Sequence, residues 1–214
     1  MANVIKKILF LIILIVIVIC ETQKANAFSS GRVMVGGAIT SAQFATSADT
    51  WVTAGSPDEN RGTDAFMRVS SDSSFPNRSL MKFDISLIPA AARIESALLS
   101  IYYFSTVAGT PTGRTYNCYR TTTTSWTEGA VTWNNQPATT STDGVQETVP
   151  ALNNWLEYSI VALAEYAIVN DSSIVNVQIL DNSEEPGVHA ASFYTKEEAT
   201  QTTLRPKMFI RWNP

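Results

Sequence analysis

Three groups of residues in this chain carry side chains suited to binding chemistry. The stretch Ser125 to Pro137, "SWTEGAVTWNNQP", sets Trp126 and Trp133 around a turn-like Glu128-Gly129 and follows them with Asn134-Asn135. Indole rings beside amides can form a sugar-binding platform, and they can equally pin a loop to a sheet. A second group, Lys82, Tyr102, Arg68, Arg120 and Trp51, offers cations and ring faces to sugar rings or uronate carboxylates. A third, Asp58, Asn60 and Asp64 with Glu59 among them, is an oxygen-rich loop. Its donors suit calcium in a structural role, although the spacing matches no EF-hand.

The residues for catalysis are less well arranged. Glycoside hydrolysis needs two carboxyl groups facing a cleft. The candidates Glu128, Asp181, Glu184, Glu185, Glu197 and Glu198 fall mostly in polar, turn-like stretches. His189 is the single histidine, no Gly-x-Ser-x-Gly elbow occurs, and one histidine with one mature cysteine falls short of a usual zinc ligand set. The chain is expected to be a binder, not an enzyme.

The elements that must hold these residues are mostly strands. In Arg78–Ile85, Met81, Phe83 and Ile85 alternate with Leu80, Lys82 and Asp84; Ile94–Phe104, Ile174–Asp181 and Lys207–Trp212 alternate in the same way. Period-two patterning of this kind marks half-buried strands of antiparallel sheets. Turn signals recur at Gly55-Ser56-Pro57, Asn60-Arg61-Gly62, Gly109-Thr110-Pro111, Asp143-Gly144 and Glu185-Pro186-Gly187. Only Ile160–Val169 has helical spacing, with Ile160, Leu163, Ala164, Ala167 and Ile168 on one side. The predicted fold class is all-β: a two-sheet antiparallel β-sandwich of jelly-roll type with one short helix near 160–169. On this pattern Val131 and Trp133 point inward from a short strand. Trp133 is then mostly buried and Trp126 at least half buried, both as structural anchors.

The N-terminus reads as a leader. Lys6 and Lys7 precede an apolar run of thirteen residues, Ile8 to Cys20, and Ala25-Asn26-Ala27 ends the segment in a cleavage pattern. Thirteen residues is short for a membrane span, which needs about 20. Ile17-Val18-Ile19 lacks the small residues that a lipid-modified Cys20 requires. The expected organisation is a signal peptide at 1–27, an N-terminal extension at 28–48 and a β-sandwich domain at 49–214. The expected location is secreted, extracellular or at the cell surface, with no transmembrane segment after cleavage.

Removing the leader takes away Lys6, Lys7, Lys24 and Glu21, which moves the formal charge from −4 to about −6. With no run of Lys and Arg, nucleic acid is excluded as a partner. Cys118, the one cysteine left, reads as a buried thiol on a strand. Asn77-Arg78-Ser79 and Asn170-Asp171-Ser172 match the N-glycosylation sequon.

Several blocks occur in a recognisable order. They are Asp49-Thr50-Trp51-Val52, Gly55-Ser56-Pro57, Asn60-Arg61-Gly62, "SLMKFDISLIPAAARIESALLSIYY", "SWTEGAVTWNNQP", "WLEYSIVALAEYAI" and a closing "RPKMFIRW". From about Ser47 to Trp212 the chain resembles the DNRLRE domain, also classed as carbohydrate-binding module family 96. The resemblance implies a secreted, non-catalytic β-sandwich that binds extracellular polysaccharide, including acidic, alginate-like polymers in some members. The competing expectation is a structural or adhesive subunit of a surface filament or matrix. It would self-associate by strand exchange through residues 28–40, where "RVMVGGAIT" could pair with a neighbour's edge.

Overall fold

The computed structural model describes residues 39–214. The leader, Cys20 and most of the proposed exchange segment lie outside the described residues. Eleven strands follow in order: β1 (Thr40–Ala45), β2 (Ala48–Thr53), β3 (Phe66–Ser70), β4 (Asn77–Asp84), β5 (Arg93–Thr106), β6 (Thr115–Thr121), β7 (Thr139–Thr148), β8 (Asn154–Ser159), β9 (Ile174–Asp181), β10 (Ala190–Tyr194) and β11 (Lys207–Asn213). Helix α1, Val161–Asn170, sits between β8 and β9, one residue later than the predicted bounds. β1 lies inside the segment read from sequence as an extension and pairs with β11.

All strand pairings are antiparallel, and they form a single curled sheet. One leaf runs β1-β11-β5-β8 and the other β2-β4-β9-β6-β7. β3 and β10 pair with each other and join the leaves, β10 at the far end of β5 and β3 at the start of β4. The result is an all-β sandwich. Leu99, Ile101, Leu156 and Met208 from the first leaf meet Met81, Phe83, Val177 and Cys118 from the second in one core, and every one of them is buried. Burial of an aliphatic or aromatic side chain of this size is worth about 1.5–3 kcal/mol, so strict alternation fixes the register of each strand. Ile160, Leu163, Ala164 and Ala167 carry the apolar side of α1 into the same core.

Alternation predicts a solvated outer face on β4 and β9, and here the structure differs. Leu80 is fully buried, and Asn176 and Gln178 are 2% exposed. The reason is the segment 121–138, which lies over this face as a roof. Val52, Leu80, Trp126 and Val131 form a second apolar cluster, with Trp133 packed against it. Trp126 Nε1 donates to Asn176 Oδ1 at 2.6 Å. Asn176 Nδ2 donates back to Thr123 O at 2.6 Å and to the Thr121 hydroxyl. Gln178 Nε2 donates to Gln136 Oε1 at 2.7 Å. The polar residues that alternation assigns to solvent are thus satisfied by the roof, as buried polar groups must be.

No strand forms around Val131–Asn134, which corrects the expectation of a short strand there, although Trp133 still packs against the second cluster. Asn135 Oδ1 accepts from the Thr132 N–H at 2.6 Å, and Asn135 Nδ2 donates to Ala130 O at 3.0 Å, so the backbone turns instead of extending. Trp126 is the deeper anchor at 7% exposure, while Trp133 is half-buried with the Arg78 guanidinium 4.6 Å from its ring centroid.

The loop before β3 holds the roof from the side. Asn60 Nδ2 donates to Glu128 O at 2.7 Å and Val131 O at 2.8 Å. Gly62 is pressed so closely to the roof that an added Cβ would stand 2.8 Å from the Glu128 carbonyl carbon. Gly62→Ala is therefore expected to destabilise the fold by about 1–3 kcal/mol, the usual scale of overpacking. Chemical denaturation measures it, and a change within 0.5 kcal/mol would contradict the close docking.

Candidate functional site

The five residues singled out for ligand contact fall at four separate places. Trp51 and Arg68 are together: Trp51 is 4% exposed, and both the Arg61 and Arg68 guanidinium groups approach its ring, at 4.5 and 5.0 Å. Its Nε1 donates to Asp64 Oδ2 at 2.9 Å, so the indole is closed off on its faces and at its edge. Lys82 is a clamp on the roof. Its ammonium donates to Thr124 O at 2.7 Å and to Trp126 O, and lies 4.3 Å from the Trp126 ring centroid. Burial pulls its pKa below the ordinary lysine value. Arg120 lies 3.6 Å from the ring centroid of Tyr166 on α1. Tyr102 stands apart from all of these, on the opposite leaf.

The calcium candidates do not converge either. Asp58 Oδ1 accepts from Asn134 Nδ2 at 2.8 Å, Asn60 Oδ1 accepts from the Gly62 N–H at 3.2 Å, and Asp64 Oδ2 accepts from Trp51. Asp58 and Asp64 tie the loop to the roof and to β2, while Asn60 Oδ1 closes a turn within the loop. Among the acids considered for catalysis, Arg114 grips Asp181 through Nε at 2.7 Å and Nη2 at 2.9 Å. Arg78 grips Glu184 through two bonds of 2.8 Å. His189 Nδ1 lies 3.1 Å from Thr110 O. Cys118 is buried on β6, where burial pushes its thiol up.

Tyr102 leads to a surface that the alternation pattern alone does not announce. It projects from the outer face of β5 beside Trp155 of β8, its direct cross-strand partner. The two rings meet edge to face, 5.2 Å between centroids at 73°. Tyr194 of β10 lies nearly parallel to Tyr102 at 6.2 Å and stacks on Phe104 at 4.0 Å and 4°. On the other side, Lys207 Nζ sits 4.0 Å from the Trp155 ring centroid. Each member of this row is partly exposed, and Phe209, two residues along from Lys207, is 42% exposed.

Polar groups flank the row. Tyr102 OH donates to Asn153 O at 3.0 Å, and Ser100 Oγ donates to Glu157 Oε1 at 3.0 Å on the same face. Desolvation, with the nearby Glu198 charge, raises the Tyr194 pKa, which keeps its hydroxyl protonated. Lys207 has no carboxylate partner among the described residues. Apolar ring surface with a few fixed polar groups at its margin suits a ligand that has both apolar faces and hydroxyl edges. Trp155, Tyr194, Phe104 and Lys207 were missed in the sequence because they come from four different strands. The available signal was the outward phase of each strand: Tyr102 and Phe104 share one phase on β5, and Lys207 and Phe209 share one on β11.

A shallow pocket in the roof is lined by Ser125, Trp126, Thr127, Ala130, Val131 and Asn135. Its Trp126 Nε1 and Asn135 amide are already engaged within the fold. No helix among the described residues is long and apolar enough to cross a membrane.

The family model described as carbohydrate-binding module family 96 matches residues 40–211. No curated protein matches the sequence.

The two tryptophan settings separate in their energetics. Trp126→Ala is expected to cost about 3–5 kcal/mol of stability, as for a buried aromatic truncated to alanine. Trp155→Ala, on the outer face, is expected to cost about 1 kcal/mol or less. Urea unfolding of both variants is the check, and equal losses would contradict the division into anchor and open face.

Proposed function

The chain belongs to carbohydrate-binding module family 96, and from that premise we propose a secreted, non-catalytic module that binds extracellular polysaccharide along the outer face of β5, β8, β10 and β11. The observation that carries this reading is the row Phe104, Tyr194, Tyr102 and Trp155, partly exposed on the outer face of the first leaf. Sugar rings present apolar C–H faces that lie against aromatic surface, and the row is long enough to meet successive residues of a chain. Secretion rests on the leader read from residues 1–27.

Acidic, alginate-like polymers are the proposed ligand class. Lys207 stands at the end of the row, and Arg211 follows it on the same exposed phase of β11. An ammonium or guanidinium there can take a uronate carboxylate while the ring rests on Trp155. The whole chain carries a formal charge of −4, so long-range attraction does not draw a polyanion in. Recognition therefore depends on local contact, and salt weakens it only modestly.

Affinity electrophoresis of the chain from Phe28 to Pro214 in gels of neutral and uronate polysaccharides is the direct test. Binding to alginate is expected. Trp155→Ala is expected to weaken it by about tenfold or more, the scale of an aromatic anchor. Lys207→Met is expected to weaken alginate binding while leaving any binding of neutral chains unchanged. Failure to retard in every polysaccharide would overturn the reading.

A further inference from the structure

A second group of side chains stands away from the aromatic face, where the roof meets the edge of the second leaf. Asp49 comes from β2, Glu128 from the roof, and Glu197 from the turn after β10. Each brings one carboxylate oxygen into a cluster whose atoms all lie within 4.8 Å of one another. Asp49 is 1% exposed. Its Oδ2 accepts from the Thr46 hydroxyl at 2.8 Å and from the Lys196 N–H at 3.0 Å, but its Oδ1 has no partner. Glu197 Oε2 is likewise buried without a partner. Buried carboxylate oxygens of folded proteins are normally satisfied, and two unsatisfied ones in one cluster call for an occupant.

Charge points the same way. Lys196 Nζ pairs with Glu128 Oε2 at 2.8 Å and with Glu197 Oε1. One ammonium among three carboxyl groups leaves acidic oxygens in excess of cations. The donors are all oxygen, and an atom spread of 4.8 Å accommodates an ion at the 2.3–2.6 Å ligand distance of calcium.

We propose that Asp49, Glu128 and Glu197 hold a hard divalent cation of the calcium type, which ties β2, the roof and the turn after β10 together. Glu128 Oε1 already accepts from the Asp49 N–H at 2.8 Å, so the roof and the strand are in register for it before any ion arrives. The site differs from the Asp58, Asn60 and Asp64 loop, whose side-chain oxygens serve separate protein partners. Its role is to fasten the roof.

The test uses the chain stripped with EDTA and titrated with calcium chloride at neutral pH, followed by calorimetric binding and by thermal melting. A Kd of roughly 10⁻⁴–10⁻³ M is expected, as for extracellular modules. Calcium at ten times that value should raise Tm by about 3–6 °C. Magnesium, which demands a tighter octahedral shell, should give a smaller shift. Asp49→Asn and Glu197→Gln should abolish the calcium shift, whereas Glu198→Gln, whose carboxylate faces Thr200 and Gln201, should keep it. Glu197 is half-buried, so its variant remains informative if Asp49→Asn does not fold. Absence of calorimetric binding together with an unchanged Tm in the unaltered chain would overturn the site and leave a shared proton between Asp49 and Glu197 as the occupant.

Discussion

The structure depends on the seal between the roof and the second leaf. Trp126 reaches through the outer face of β4 and β9 to bond Asn176, and Lys82 grips the backbone carbonyls of Thr124 and Trp126 from below. The Trp126–Asn176 bond is buried, so loss of either partner would leave a buried polar group unsatisfied. A sandwich has two outer faces, and this seal removes one of them from use. Among the described residues, the outer face of the first leaf keeps Tyr102, Trp155 and Phe209 at least partly exposed. That asymmetry explains why the tryptophans of one sequence block can be structural while the aromatics of another are available to a ligand.

The same division assigns the charged residues. Arg78, Arg114, Lys82 and Lys196 each hold a loop or strand in place through a carboxylate or carbonyl. Arg61 and Arg68 enclose Trp51. Carboxylates neutralise Arg78, Arg114 and Lys196, whereas Arg68 and Arg120 lie over aromatic rings. Lys207 and Arg211 share the exposed phase of β11 on the first leaf.

Much of the fold was legible in the sequence. Ile174–Asp181 was read with the bounds that the strand has, and α1 was displaced by one residue. In both, the burial of Val, Ile and Leu at a fixed period decides the element, and the period is visible in one dimension. The failures share a different cause. Alternation assigned Leu80, Asn176 and Gln178 to solvent, because it cannot see that a segment over 40 residues distant covers them. Val131 and Trp133 alternate like a strand, yet the Asn135 side chain captures the backbone of Thr132 and turns it. Lys82, Arg68, Arg120, Tyr102 and Trp51 were grouped by chemical type, whereas the fold distributes them over four places. The aromatic row was invisible for the same reason: it is assembled from β5, β8 and β10, which contribute one or two rings each.

The most direct test of this account is backbone amide chemical-shift mapping of the protein during titration with alginate oligosaccharides. The account predicts that the perturbed amides cluster on β5, β8, β10 and β11 around Tyr102, Trp155, Tyr194 and Lys207. Perturbations centred on residues 123–137 of the roof, with the first leaf unchanged, would contradict it.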